Sequence, residues 1–342
     1  MKKRALHCLL LPVALCLLSC ASVSQRDFTE AIRQEPAKRL ESYAFDPKSS
    51  LVSRIGIAPD FLLKYLSTTD KKDGYTPYMP DSREMAMIDE YLAKLPSLHK
   101  RVLRERLLAV YFVNNFWGSG MADFVLGEHA ELYTILIINP QTMKHDLTAW
   151  MTYRENTIFK DDDAFSKIIV NCGTEYTGLM YALLHETTHI VDYVRKFTPY
   201  TDREMGILNK TSGKTAFVKD VWADFRTPEA ANDDKKRKNI TVYGFDNGPL
   251  LSRKDAVSLY ERLSRTPFPS LYGWTAWPED FAEYVTWRHL TANLKQPYTI
   301  AVYDHDKLVF TLAPFNSGPV LRRMTSLQDI FMQSDTTGKY EQ

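Results

Sequence analysis

Residues 183–194 read LLHETTHIVDYV, an apolar run interrupted by His185, Glu186 and His189. The run lies inside TEYTGLMYALLHETTHIVDYVRKF, whose apolar spacing predicts one long helix. Thr174 or Thr177 would be its N-cap, and Pro199 stands just beyond its end. On a helix, two histidines four positions apart share nearly one face, about 6 Å apart along the axis. Both imidazoles can then reach one metal ion, and Glu186 points to the ion's open side.

This is the HExxH arrangement of zinc peptidases, with two histidine ligands and a glutamate base. A catalytic zinc takes a third protein ligand and keeps a fourth position open. A histidine six residues after His189 would supply the ligand in the metzincin pattern, but that position is Arg195. WPEDFAEYVTW offers Glu279 and Glu283, four apart and so on one helical face. One carboxylate can bind zinc while the other holds a ligand imidazole by its second nitrogen. Spacing alone does not choose between them.

Glu279-Asp280-Phe281-Ala282-Glu283 has the form E-x-F-A-E/S, which opens on the ligand glutamate in gluzincin metallopeptidases. Tyr272-Gly273 stands seven residues before Glu279, and HIVDY carries the helix on from the second histidine. In these two motif regions the chain resembles the lethal-factor-like gluzincins, related also to the Mlc titration factor group. His189 and Glu279 are 90 positions apart, a wider gap than in that group, which an insertion over 205–250 accounts for. The resemblance implies an α+β fold with a zincin-like metallopeptidase core. A small sheet would lie over the HETTH helix, and substrate would bind extended along its edge strand. It implies His185, His189 and Glu279 as ligands of one Zn²⁺ and Glu186 as the base that takes the water's proton. Tyr272 would donate its hydroxyl to the oxyanion. Glu283 and Asp192 are candidates to hold the ligands from behind.

The N-terminus has a different character. MKKR followed by ALHCLLLPVALCLL is a basic and then apolar stretch too short for an ordinary membrane-spanning helix. It ends in Leu17-Leu18-Ser19-Cys20, which resembles a bacterial lipobox; the alternative is a plain signal peptide cleaved near Ala21. Residues 1–19 are then a lipoprotein signal and Cys20 is the lipidated N-terminus, an anchor to the membrane that needs no spanning helix. Alanine after the cysteine favours the outer membrane in a Gram-negative envelope. Removal of the signal and acylation of Cys20 leave Cys172 alone, a small buried apolar residue with no disulfide partner.

Between anchor and HETTH, residues 20–50 read as a tether with some helix. GIAPDFLLKYLS, SREMAMIDEYLAKL and LHKRVLRERLLAVYFVNNFW each carry helical apolar spacing, so 51–130 reads as a helical region. Leu103, Leu107, Val110, Tyr111 and Asn114 fall along one side of the last segment. The catalytic domain spans 131–342. Within it LYTILIINP and AFSKIIVNCG read as strands, the second as the edge strand before the HETTH helix. DAVSLYERLSRT and WPEDFAEYVTWRHLTANL read as helices, and IAVYDHDKLVFTL as a hairpin around Asp304-His305-Asp306. NDDKKRKN reads as a solvated loop, and at least two of Trp274, Trp277 and Trp287 as core. His99, His129, His145, His289 and His305 lack ligand spacing.

A net charge of +1 gives no sign of a nucleic-acid or anionic-membrane surface, so no nucleic-acid partner is expected. The expected activity is a lipid-anchored zinc metallopeptidase acting on a protein or peptide. One alternative is a zinc amidase of peptidoglycan, using the same chemistry on another amide. The other is an inactive zinc-binding scaffold, against which Glu186 and Tyr272 argue, since a structural site requires neither.

Overall fold

The structure is a computed structural model describing residues 25–324 except 129–130 and 209–213. The signal peptide, Cys20 and His129 lie outside the described residues. The described chain is α+β. It runs α1 (Gln25–Gln34), β1 (Ile55–Gly56), α2 (Asp60–Asp70), β2 (Thr76–Tyr78), α3 (Ser82–Ala93), α4 (Ser97–Arg106), β3 (Leu107–Asn114), β4 (Gly120–Leu126) and β5 (Leu132–Ile138). Then follow α5 (Leu147–Asn156), β6 (Ser166–Asn171), α6 (Gly178–Arg195), α7 (Arg203–Leu208), β7 (Trp222–Asp224), β8 (Thr227–Pro228), α8 (Ala256–Leu263), α9 (Trp277–Arg288), β9 (Thr299–Asp304) and β10 (Lys307–Leu312).

Residues 51–130 are not a helical region. The segment expected as one helix changes state at Leu107, where α4 gives way to β3. Seven consecutive residues of LLAVYFV are buried. A strand covered on both faces reads as an unbroken apolar run, so its residues also satisfy a helical template. β3 is the middle of a five-stranded sheet ordered β1-β3-β5-β4, with β2 also paired to β3. β3 runs parallel to β5 and β4 antiparallel to it, so this sheet crosses the 130/131 boundary.

The stretch 20–50 is no simple tether either. From α1 onward it packs, burying Ile32, Ala37, Lys38 and Tyr43. Lys38 is paired with Asp123 of β4 and lies over the Phe124 ring.

α6 carries HETTH beneath the first sheet, against β4 and β5. Thr177 is its N-cap and Lys196, at φ 56°, ends it. Gly178 is required at its start, because a Cβ there would stand 2.5 Å from the Trp150 ring. The strand that precedes α6 in sequence, β6, belongs to a separate sheet ordered β10-β9-β6. The edge strand over α6 is β4. The β9–β10 hairpin turns on His305 and Asp306, both at positive φ. Trp274, Trp277 and Trp287 are all buried, as is Cys172. The 205–250 segment folds onto the start of α9: Trp222 donates to Asp280 (2.8 Å), and Trp277 N–H donates to Phe225 O (3.1 Å). Within NDDKKRKN the turn Lys235–Asn239 buries Arg237, which binds Asp233, Trp274 O and Arg226 O.

Candidate metal centre

α6 and α9 pack side by side, and their facing sides carry the site. The four-residue spacing of His185 and His189 turns both imidazoles to α9, and the same spacing turns Glu279 and Glu283 to α6. His185 Nε2 lies 3.3 Å from His189 Nε2. Glu279 Oε2 lies 3.2 Å from His185 Nε2 and 3.6 Å from His189 Nε2. An ion bonded at about 2.0–2.1 Å to a tetrahedral set has ligands about 3.4 Å apart. The three atoms therefore fit three corners of a zinc tetrahedron. Among the described residues they are the one cluster of His, Cys, Asp or Glu with such spacing.

Glu283 takes the other end of His185, its Oε1 standing 3.2 Å from Nδ1. It is fully buried and held by Arg154, at 3.0 and 3.3 Å, by Trp287 Nε1 at 3.0 Å, and by the Tyr181 hydroxyl. Tyr181 also reaches His185 Nδ1 at 3.1 Å. Burial opposes charge on Glu283, but Arg154 and His185 outweigh it and hold the carboxyl below its usual range. Burial likewise opposes a proton on His185, but Glu279 and Glu283 override it and lift the imidazole to about 10. So many carboxylates around two imidazoles form a pocket that favours positive charge. Glu279 is held well below its usual range, since the two histidines outweigh its burial.

Glu186 extends to the sheet, its Oε2 accepting from Ala122 N–H of β4 at 3.0 Å. Burial, opposed by the two histidines, raises its carboxyl. Close approach requires the glycine at 120: a Cβ there would stand 2.9 Å from Ile137 O and 3.0 Å from Glu186 Cγ. Tyr272 stacks its ring on His185, with centroids 5.5 Å apart and planes at 19°. Burial, with the carboxylates of Glu279 and Glu186 beside it, pushes the phenol well up, so it keeps its proton. Gly273 lets this turn lie against Asp280 and Glu283 of α9.

Asp192 lies near enough to His189 for the imidazole to favour its ionised form, but it hydrogen-bonds to Thr198. Its carboxylate accepts from Thr198 N–H at 2.8 Å and from the Thr198 hydroxyl, because the chain after Lys196 folds back over it. Burial lifts it to about 6. The remaining described histidines stay outside the site: His99 meets Thr188, His289 meets Lys94 O, His145 stacks near Trp150, and His305 sits on Phe165. Three participants were not foreseen from sequence. Tyr181, four residues before His185, was within reach of the same helical arithmetic. Arg154 and the Ala122 amide come from distant elements with no local signal. No family model matches the chain, and no curated protein or solved structure matches it.

Proposed function

We propose that the chain is a zinc-dependent metallopeptidase of gluzincin type, with a zincin-like core formed by α6, α9 and the β4 edge. The observation that carries the reading is the near-tetrahedral spacing of His185 Nε2, His189 Nε2 and Glu279 Oε2, with Glu186 beside the open position. When bound, the zinc supplies a water acidified to near neutrality and a Lewis acid for the substrate carbonyl. The protein's own groups do the rest. Glu283 and Tyr181 fix the ring of His185 so that Nε2 faces Glu279. Glu186 accepts the water's proton and later delivers it to the leaving amine. Tyr272, protonated and stacked on His185, donates to the oxygen that gains negative charge. An extended peptide lies along β4.

A scaffold role would call for a closed fourth ligand; among the described residues no further His, Cys, Asp or Glu joins the three. Anchoring through Cys20 in a bacterial envelope, at the outer membrane of a Gram-negative cell, is part of the same proposal. Among the described residues no helix is long and apolar enough to cross a membrane.

The test is metal content and peptide hydrolysis of the full chain beside two variants. Wild type is expected to hold about one zinc, as one three-ligand site allows. Glu279→Ala should lose it on dialysis. Glu186→Gln should keep the zinc and lose peptide hydrolysis by at least a hundredfold, the lower range for an acid–base group. A zinc-free wild type, or equal retention in Glu279→Ala, would refute the ligand set.

A further inference from the structure

Resting on the peptidase reading above, we infer that the enzyme is exo-acting and removes one or two residues from a peptide's N-terminus. The basis is the asymmetry of the β4 edge. Glu186 meets β4 at Ala122, so the bond to be cleaved lies beside that residue. Toward the C-terminal end of β4 the edge is closed. Arg39 pairs with Leu126 in parallel, on the side away from β5, and the turn Pro36–Lys38 packs along the strand before it. Ala37 and Lys38 are buried there, and the Lys38 ammonium stands 3.7 Å from the Phe124 ring centre while pairing with Asp123. A peptide leaving Ala122 in this direction meets the segment after about two residues, roughly 7 Å of extended chain.

Toward the N-terminal end no such backbone pairing covers the edge among the described residues. Gly118, just before β4, lines a cavity of about 410 Å³ whose walls also include Trp117, Tyr153, Tyr243, Lys72 and Asp73. Its floor is fixed by Ser119, whose hydroxyl meets the Tyr243 hydroxyl at 2.6 Å and accepts from Trp150 Nε1 at 2.9 Å. Tyr153 is 54% exposed on its rim. The aromatic walls suit a planar or apolar side chain of the substrate.

Polarity follows from strand pairing. Antiparallel pairing is slightly the more stable, and an antiparallel peptide on β4 places its N-terminus toward Leu126 and its C-terminus toward Gly118. The walled side is then the N-terminal side of the substrate. The long side crosses the aromatic cavity.

The experiment digests a twelve-residue peptide with the zinc-loaded full chain, with free or acetylated N-terminus, and reads products by mass over time. Stepwise loss of one or two N-terminal residues, with the acetylated peptide resistant, is the expected result. Cleavage leaving four or more residues on the N-terminal side, or trimming from the C-terminus, overturns the inference while leaving the peptidase intact. No cleavage beyond that of Glu186→Gln overturns the peptidase reading and the polarity with it. Tyr153→Ala supplies a second arm. Its KM should rise about three- to tenfold, one aromatic contact's worth, for the long peptide and stay unchanged for an aminoacyl anilide. Equal effects on both substrates would remove the cavity from the binding path.

Discussion

Glu283 shows how one side chain can serve fold and chemistry together. It is fully buried, it faces His185 Nδ1, and it neutralises Arg154, itself buried. Glu283→Gln keeps the shape and removes the charge. Among the described residues Arg154 then keeps only Glu155, 3.6 Å away, as a charged partner. Breaking a buried pair costs about 3–5 kcal/mol, and loss of a partner behind a metal ligand weakens metal binding about 10–100-fold. Thermal unfolding and a competitive zinc titration would read the two effects; an unchanged zinc affinity would reduce Glu283 to a structural role. His99 is a contrasting case, far from the ligands in role but equally buried. Thr188 donates its hydroxyl proton to Leu184 O, so His99 donates from Nε2 to Thr188, and Nδ1 is left as a buried acceptor without a partner among the described residues. Burial, with His289 nearby, lowers His99 to about 3. An unfolded chain protonates this residue near 6.5, whereas the folded chain resists until about 3. Stability should therefore fall as pH drops through that window, by about 1.4 kcal/mol per unit from this residue. Urea unfolding of wild type and His99→Gln at several pH values would show a shallower acid slope in the variant; parallel slopes would contradict the assignment.

At the scale of elements, the decisive contact is between the β4 edge and α6. Gly120→Ala forces a methyl against Ile137 O and Glu186 Cγ, so β4 or the carboxylate must move. Activity should fall about a hundredfold, as a shift of about 1 Å near the chemistry can do, while zinc content is unchanged. Wild-type activity in this variant would mean that the strand tolerates the shift. The helices that carry the proposed site were readable because their residues repeat at helical spacing and their start signals are local, Thr177 as the N-cap of α6 and Pro278 in the first turn of α9. The sheet was less so. β3 passed as helix because burial on both faces erased its alternation, and β4 was missed because GMADFVL sits among glycines with no clean period. Its partner strand β5 was read correctly from LYTILII. Glu279 was chosen over Glu283 by resemblance alone, since i, i+4 spacing makes the two equivalent. What separates them is Arg154 on α5, which claims Glu283, and that contact spans 129 positions.

For the whole molecule, the question is what holds α9 so that Glu279 meets α6. Its first turn is pinned from three directions. Tyr200 O accepts from Trp277 Nε1, Trp222 donates to Asp280, and Arg323 forms a two-pronged pair with Asp280 at 2.9 and 2.7 Å. Trp222 belongs to the segment read from sequence as an insertion, and Arg323 to the chain's last described turn. Both converge on the residue next to Glu279. Sequence spacing cannot foresee such closure, because it depends on the two segments returning to one point. Asp280 is fully buried, and Arg323 is its charged partner. Arg323→Met fills similar volume but leaves that carboxyl to Trp222 alone. The expected cost is about 3–5 kcal/mol, the range for breaking a buried pair. Because the loosened turn carries Glu279, zinc retention should fall in the same variant. Asp280→Asn with Arg323→Met removes both charges, so stability should recover in part and zinc retention with it. Zinc retention that stays at the wild-type level in the destabilised single variant would show that α9 is set by its packing on α6, with the clasp contributing stability alone.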